Sequence, residues 1–464
     1  TGANNTAVGK VALTANTTSP NNTAVGYAAL DAQTTGAGYN VALGYNSMTA
    51  NTSGTENTAA GWESLAANTT GTYNVAFGGR ALATNTTADN NTGIGFLALR
   101  VNTTGTQNTA VGAWALDANT TASYHTAVGY KALSANTTGG QNTAVGYAAL
   151  DESTTGNDNV AVGNNCMGKN TTGVNNTAVG SFALDANTTA SNAVAVGYGA
   201  LGGNTTGVYN TGLGYIAGIA ITTGGYNVAV GSLALDATTT GVSNVAIGYD
   251  ALGKNVSNLA NVAVGYAALE DANGSDFCTA MGYAAGKDLT TGDNNLCLGY
   301  NAGASASPSG TLTTESNEIC LGNDAISQAH IQVDWTVASD QRDKTDFTAL
   351  DLGLDFVKAL APVTYKWDKR SKYAEEGDDL DTVTHDGTHK EDWLDIGFKA
   401  QEVEALEIAA GYNKSSKTNL TTTLSGDGKQ YGIQYSKFVP ILVKAIQEQQ
   451  TLIESLTARI TTLE

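Results

Sequence analysis

The fold is decided by the stretch Asn-Thr-Ala-Val-Gly-Tyr-Ala-Ala-Leu at residues 22–30, because close copies of it recur along most of the chain. Successive repeat glycines are 17 residues apart, except for one interval of 18 and a last one of 23. A fixed short period indicates an architecture of stacked repeats. The repeat glycines are Gly9, Gly26, Gly44, Gly61, Gly78, Gly95, Gly112, Gly129, Gly146, Gly163, Gly180, Gly197, Gly214, Gly231, Gly248, Gly265, Gly282, Gly299 and Gly322.

Each repeat is too short for two helices, and its apolar positions do not follow a helical period. The residues before the glycine, as in 22–27, are β-branched, aromatic and small and predict a short strand. Residues 27–30 are expected to continue this strand or to form a second one. Stretches such as Ala-Asn-Thr-Thr at 118–121 predict turns in which Asn and a following Gly adopt left-handed φ. The fold class is therefore mainly β, with each repeat forming one coil of a parallel β-solenoid.

The strand of each coil has apolar residues on both of its faces. Ala24 and Val25 are adjacent in an extended segment, so they point in opposite directions. One of these positions is expected to face the coil interior and the other a partner chain. We therefore expect a parallel oligomer along the rod, and a homotrimer is favoured. The Asn-x-Ala-Val-Gly unit resembles the left-handed β-roll of trimeric autotransporter adhesin heads and of repeat-bearing phage tail fibres, over about residues 5–325.

Charge is distributed unevenly along the 464 residues, whose net charge is −20. Residues 1–338 hold 7 Lys and Arg against 20 Asp and Glu, whereas residues 339–464 hold 15 against 22. This contrast predicts two separate folding units. No basic cluster occurs, so nucleic-acid binding lacks its electrostatic signature. No apolar stretch is long enough for a membrane span, so membrane insertion is not expected.

No cofactor or metal site is predicted from the pattern of possible ligands. The four cysteines form no Cys-x-x-Cys pair and are expected to be small buried hydrophobic residues. A column of acids five positions after the repeat glycine could indicate calcium, but its members skip coils, so a solvated edge is favoured. The two sets are Cys166, Cys278, Cys297 and Cys320, and Asp31, Asp117, Asp151, Asp185 and Asp236.

The chain is expected to fall into four segments. Residues 1–327 form the solenoid rod, and residues 328–338 form a connecting strand in which Trp335 packs between chains. Residues 339–435 have the pattern of a small α+β domain, and residues 436–464 that of a coiled-coil helix. The heptad seam of this helix by itself favours a two-stranded coiled coil, which disagrees with the trimer expected from the rod. The seam is Leu442, Ile446, Gln449, Ile453, Leu456, Ile460 and Leu463.

The junction between the repeats and the non-repetitive tail holds the candidate chemistry. Ser339 and Lys344 are five residues apart, so an amine could activate a hydroxyl if the backbone between them turned back. The alternative is a purely structural role, in which Ser339 belongs to a helix or turn cap and Lys344 is a surface charge.

Residues 339–464 resemble the intramolecular chaperone domain of endosialidases and other phage tailspikes, the S74 family of self-cleaving peptidases. The matching stretches are Ser-Asp-x-Arg-x-Lys at 339–344, Leu-x-Pro-Val-x-Tyr at 360–365, Gly-Phe-x-Ala-Gln-Glu-Val at 397–403, and Tyr435 before the terminal helix. The resemblance implies that Ser339 is the nucleophile, Lys344 its base, and the bond joining Ala338 to Ser339 the one that is cut. It also implies a single-turnover reaction without an external substrate.

The resulting prediction is a phage tail fibre or tailspike fragment whose tail drives trimerisation, registers the rod and releases itself. Its expected partners are two further chains, a host cell-surface receptor that is a glycan or a protein, and other tail proteins joined through a region preceding Thr1. The expected location is the virion, with the released part left in the host cytoplasm. The alternative is a non-enzymatic bacterial trimeric adhesin. A polysaccharide depolymerase, which needs paired carboxylates in a groove, and an ice-binding solenoid are less favoured, and the sequence leaves the receptor-binding residues unassigned.

Overall fold

The computed structural model describes residues 2–304, 307, 310–332, 337–373, 382–413, 420–425, 428 and 430–463. The chain divides into two compact units, Thr1–Leu296 and Cys297–Glu464. This division precedes residue 327, which the sequence suggests as the end of the rod. Two strands with the repeat motif lie at or after the division, at Leu296–Leu298 and Ile319–Leu321.

The first unit is built from three-residue strands, one for each coil. Because the residues on either side of each strand turn sharply, no strand is longer. The strands are β1 Thr6–Val8, β2 Thr23–Val25, β3 Val41–Leu43, β4 Thr58–Ala60, β5 Val75–Phe77, β6 Thr92–Ile94, β7 Thr109–Val111, β8 Thr126–Val128, β9 Thr143–Val145, β10 Val160–Val162, β11 Thr177–Val179, β12 Val194–Val196, β13 Thr211–Leu213, β14 Val228–Val230, β15 Val245–Ile247, β16 Val262–Val264 and β17 Thr279–Met281.

Neighbouring strands pair in parallel and in register with the repeat. Ala127 of β8, for example, lies opposite Ala110 of β7 on one side and Ala144 of β9 on the other. Backbone hydrogen bonds extend the stacking beyond the strands, as where the Gly129 N–H donates to the Val111 carbonyl at 2.8 Å. The predicted parallel β-solenoid of 17-residue coils is confirmed.

The two faces of each strand differ in burial as the sequence predicts. Ala24 is buried, whereas Val25 is exposed, and the same alternation recurs along the unit. Leu30 and its equivalents fill the rest of the interior together with these alanines. The interior side of each coil is therefore the Ala side, and the Val side faces outward in the single chain.

The segment after the repeat glycine is not a strand, so this part of the prediction is wrong. Residues 27–30 form consecutive turns in which Ala28 has φ 50° and Leu30 has φ 54°. Alternation between left-handed and ordinary conformations bends the chain back on itself while burying Leu30. Left-handed φ costs roughly 1 kcal/mol or more for such residues, so stacking between coils must offset strain in every coil.

The predicted role of Asn in the Ala-Asn-Thr-Thr turns is also wrong. Asn68 is not among the residues with positive φ, and its side chain is buried. Its Nδ2 donates to the Gly71 carbonyl at 3.0 Å and to Asn51 Oδ1, one coil earlier, at 2.7 Å. The side chain therefore satisfies a turn carbonyl and links two coils, which a residue chosen only for its φ would not do.

The repeat glycine is required by close packing between coils. Gly146 has φ 140°, and a Cβ at this position would lie 2.2 Å from the Gly163 carbonyl oxygen of the next coil. No side chain can be accommodated at that distance. This contact explains why glycine recurs at a fixed interval while most neighbouring positions vary.

The second unit contains strands β18 Leu296–Leu298 and β19 Ile319–Leu321, with β18 beginning at the last residue of the first unit. Short 3-10 turns lie at Gln341–Asp343, Arg370–Lys372 and Tyr435–Lys437. The remaining elements are helix α1 Leu354–Ala359, strand β20 Val363–Tyr365, strand β21 Asp395–Gly397, helix α2 Ala400–Ala409, strands β22 Thr422–Leu424 and β23 Tyr431–Ile433, and helix α3 Phe438–Leu463.

The core of this small domain joins its three helices. It consists of Leu352, Phe356, Val403, Phe438 and Ile441, so the start of α3 is part of the core. The apolar residues of the heptad seam lie outside this core and are exposed in the single chain, between 44% at Leu442 and 87% at Leu463.

The predicted connecting strand at 328–338 is not formed in its described part. Residues 328–332 and 337–338 have no strand conformation and are exposed. Backbone in this segment has no strand partner among the described residues, which removes the ladder that would hold it extended. Residues 333–336, including Trp335, lie outside the described residues.

Candidate functional site

Ser339 and Lys344 are brought together by a short turn. The segment Gln341–Asp343 forms a single 3-10 turn, after which the chain becomes extended at Lys344. This reversal places Lys344 Nζ 2.5 Å from Ser339 Oγ. The hydroxyl–amine contact suggested by the spacing is thus present in the structure.

Asp340 and Arg342 hold this turn in shape. The Asp340 carboxylate caps the turn by accepting the Arg342 backbone N–H at 2.9 Å, and it also accepts two bonds from the Arg342 guanidinium. Hydrogen bonding from Arg342 lowers the pKa of Asp340 and raises that of Arg342. Asp340 is therefore the capping residue of the pair Ser339–Asp340, and Ser339 keeps its hydroxyl for Lys344.

The site is open to solvent in the single chain. Residues 337–349 are all exposed. A lysine accepts a proton only in its neutral form, which removal from water favours. The contact geometry is present, whereas the burial that would activate the pair is absent from one isolated chain.

The three other stretches named in the sequence analysis lie close together in the second unit. Val363 of β20 pairs with Gly397 of β21 in an antiparallel ladder. The Tyr435 hydroxyl accepts the Phe398 N–H at 3.4 Å, and a Cβ on Gly397 would lie 2.4 Å from that hydroxyl. These residues define the domain's packing. No described contact joins them to Ser339 or Lys344.

Glu407 is a structural residue that sequence reasoning missed. It is fully buried near the end of α2, and its carboxylate accepts bonds from the Leu420 N–H at 3.1 Å and from the hydroxyls of Thr421 and Thr422 at 2.8 and 2.5 Å. These bonds fix the start of β22 against α2. Nothing in the local pattern of α2 distinguishes Glu407 from an exposed helical glutamate.

Glu448 is a second residue without a signal in the sequence. Its Oε2 accepts the Leu354 N–H at 2.7 Å, which caps α1 from a position 94 residues away. The cap is needed because Gly353, at the start of α1, has no side chain to provide one. This hydrogen bond lowers the pKa of Glu448. One helix of the core is thus capped by the helix that carries the heptad seam.

The other titratable groups do not assemble into a metal site. Within the described part of the chain, no group of three or more His, Cys, Asp or Glu side chains could hold a metal ion. All four cysteines are buried outside any disulfide. Members of the acidic column bond to neighbouring coils, as where Arg100 Nε donates to Asp117 at 2.8 Å and Thr49 to Asp31 at 2.7 Å.

Two histidines of the charged segment 382–392 have contacts with neighbouring side chains. His385 Nδ1 lies 3.6 Å from Asp368, and the ring centroids of His389 and Tyr373 are 4.7 Å apart.

The helices of the described part include none long and apolar enough to cross a membrane.

Fold and site together define a class of protein. It is a parallel β-solenoid followed by a small α+β domain that begins with a serine–lysine contact and ends in a long helix with an exposed apolar seam. Residues 339–412 match the family model of Peptidase S74, described as chaperone of endosialidase. The match begins at Ser339. It indicates self-cleaving peptidase activity in general terms, without identifying the catalytic residues.

No curated protein and no solved structure is similar enough to the chain to count as a match. The likeness of the repeats to adhesin heads and tail fibres therefore stays a prediction made from the repeat motif.

Proposed function

We propose that the chain is part of a phage tail fibre or tailspike for host attachment. Its C-terminal domain drives trimerisation, sets the register of the β-rod, and then releases itself by cutting the bond between Ala338 and Ser339. The observation that carries the proposal is the contact between Lys344 Nζ and Ser339 Oγ, located at the first residue of the chaperone-of-endosialidase match. The rod stays in the virion, and the released part remains in the host cytoplasm.

The reaction needs only the chain and water. Lys344 in its neutral form accepts the proton of the Ser339 hydroxyl, and Oγ attacks the carbonyl carbon of Ala338. The bond from this carbon to the Ser339 nitrogen breaks as the nitrogen gains the proton, which leaves an ester between Ala338 and Ser339 Oγ. Water then hydrolyses the ester. The products are a carboxylate at Ala338 and a new amino terminus at Ser339.

Assembly supplies what the single chain lacks. The residues around Ser339 are exposed, and so is the apolar seam of α3 from Leu442 onward. Association of three α3 helices buries the seam and brings three junctions together, which removes water from Lys344. Cleavage then follows assembly and acts as its checkpoint.

A separate folding domain is useful because the rod cannot define its own register. Nearly identical coils pair with one another throughout the first unit, so a shift of one whole coil between chains preserves most contacts. The tail is not repetitive and admits one alignment. Removing it afterwards makes any unfolding of the rod irreversible, since refolding no longer has a template.

The test compares four full-length chains by denaturing gel and intact mass. The unaltered chain and Ser339→Cys, which keeps a nucleophile, are expected to give fragments 1–338 and 339–464. Ser339→Ala and Lys344→Arg are expected to stay intact, because Arg keeps the positive charge and cannot act as a base. Cleavage of Ser339→Ala at the same bond would refute the mechanism. Hydroxylamine added during cleavage should trap the ester as a hydroxamate at Ala338.

A further inference from the structure

A second surface of the first unit carries exposed aromatic rings at an unfavourable backbone position. The residue five positions before each repeat glycine has left-handed φ in every coil, between 54° and 67°. We call this set the corner column. Asn, which tolerates this conformation best, occupies it in seven coils, whereas six coils have an aromatic residue there. The aromatic members are Tyr39, Tyr73, Tyr124, Tyr209, Tyr226 and Phe277.

Stability of the single chain does not account for these rings. Each is between 51% and 62% exposed, so little of its apolar area is buried. A bulky side chain in the left-handed region is disfavoured, and such outliers cluster where a ligand is held. The rings therefore cost conformational energy without a matching gain in packing. Tyr209 and Tyr226, on successive coils, also stack with ring centroids 5.1 Å apart, so the two rings lie in one row along the unit.

The sequence segment that carries the corner column is polar and has no Lys or Arg in the first unit. From nine to five positions before each repeat glycine, no coil of residues 1–296 has Lys or Arg, and the side chains are mainly Thr, Ser, Asn and Gln. Acids occur there at Glu56, Asp89, Asp158, Asp276 and Asp293. Such a surface repels polyanions and offers hydroxyls and amides beside aromatic faces.

We infer that the corner column binds a neutral polysaccharide that runs along the rod. A sugar ring has a flat face of C–H groups that packs on an aromatic ring, and an edge of hydroxyls that bonds to Thr, Asn and Gln. Successive coils repeat the polar groups at one strand spacing, about 4.8 Å, and the rings recur at intervals of one to five coils, which suits a long polymer of similar sugars. Several weak contacts along one polymer then add as avidity. This inference rests on the proposed attachment function and gives the class of receptor.

The test uses full-length chains as expressed and native gels containing dextran, laminarin or mannan, with dextran sulfate as the anionic comparator. Retardation by at least one neutral polymer and none by dextran sulfate is expected. Tyr209→Asn with Tyr226→Asn should weaken retardation about tenfold or more, while Asn192→Tyr, which extends the stacked pair, should strengthen it. The matched control, Tyr27→Asn with Tyr45→Asn, removes a stacked pair of rings outside the corner column and should behave as the unaltered chain.

Two further measurements keep the outcomes distinct. The double Tyr variant should melt no lower than the unaltered chain, because Asn relieves left-handed strain. Failure of all three neutral polymers to retard the unaltered chain, equal retardation of the Tyr variant, or a changed native mass of that variant would overturn the inference. The fragment pattern and the native mass of the unaltered chain test the proposed function independently. A trimeric, cleaved rod that binds no polysaccharide would therefore refute this inference and leave the proposed function unaffected.

Discussion

Acid should weaken the rod at one coil, the coil that contains His125. The residue occupies a ladder position that holds Asn in the coils before and after it, and it is 1% exposed. Its Nδ1 accepts the Asn142 backbone N–H at 3.1 Å, and its own backbone N–H donates to Asn108 Oδ1 at 3.0 Å. The ring also bonds to the Gly139 carbonyl, and its contacts include no charged group. Burial lowers the pKa of His125 to about 4.

The magnitude follows from the difference between the unfolded and folded pKa values. The unfolded ring has its usual pKa of 6.5 and the folded ring one of about 4, at about 1.4 kcal/mol per pKa unit. Between these pH values the unfolded chain binds a proton that the folded chain does not. The stabilisation is therefore complete above pH 6.5 and falls by about 3 kcal/mol as the pH approaches 4.

The assay compares the unaltered chain with His125→Asn, which restores the ladder residue. The chain has only 4 His, so the pKa of His125 can be measured directly by NMR with labelled histidine. Hydrogen exchange of the Asn142 amide, at matched pH, should be faster in the unaltered chain by about two orders of magnitude near pH 4. Equal exchange in both chains, or titration of His125 near 6.5, would refute the reasoning.

Two other predictions concern the rod and the tail. Gly146→Ala should block stacking and lower the melting temperature of the rod, measured by circular dichroism, because its Cβ would lie 2.2 Å from a carbonyl oxygen. In the control Gly140→Ala the nearest atom to the new Cβ is 3.7 Å away, so the melting temperature should change by no more than a few degrees. Glu448→Gln should weaken the cap of α1 and slow the appearance of the 339–464 fragment in a timed gel. Glu454→Gln on the same helix, which makes the same chemical change and caps nothing in α1, should not slow it, and equal slowing would contradict a specific role of the cap.

Much of the architecture was predictable because a repeat multiplies a weak local signal. Residues 22–27 alone could form many structures, but the fixed interval between glycines requires stacked coils. The alternation of Ala24 and Val25 likewise assigned two faces before the structure identified the buried one. The turns were not predictable in the same way. Asn68 is of a residue type that often adopts left-handed φ, yet its side chain instead links two coils. The left-handed conformations are adopted by Ala28 and Leu30.

The sequence by itself predicted the solenoid period and singled out Ser339 and Lys344 as candidates, because both depend on spacing between neighbours in the chain. Only the tertiary structure decided that the turn at Gln341–Asp343 brings the hydroxyl to the amine. It also identified Glu407 and Glu448, which bond to backbone 13 and 94 residues away. The reason is physical: spacing along a chain specifies local geometry, whereas a long-range hydrogen bond depends on how separate elements pack.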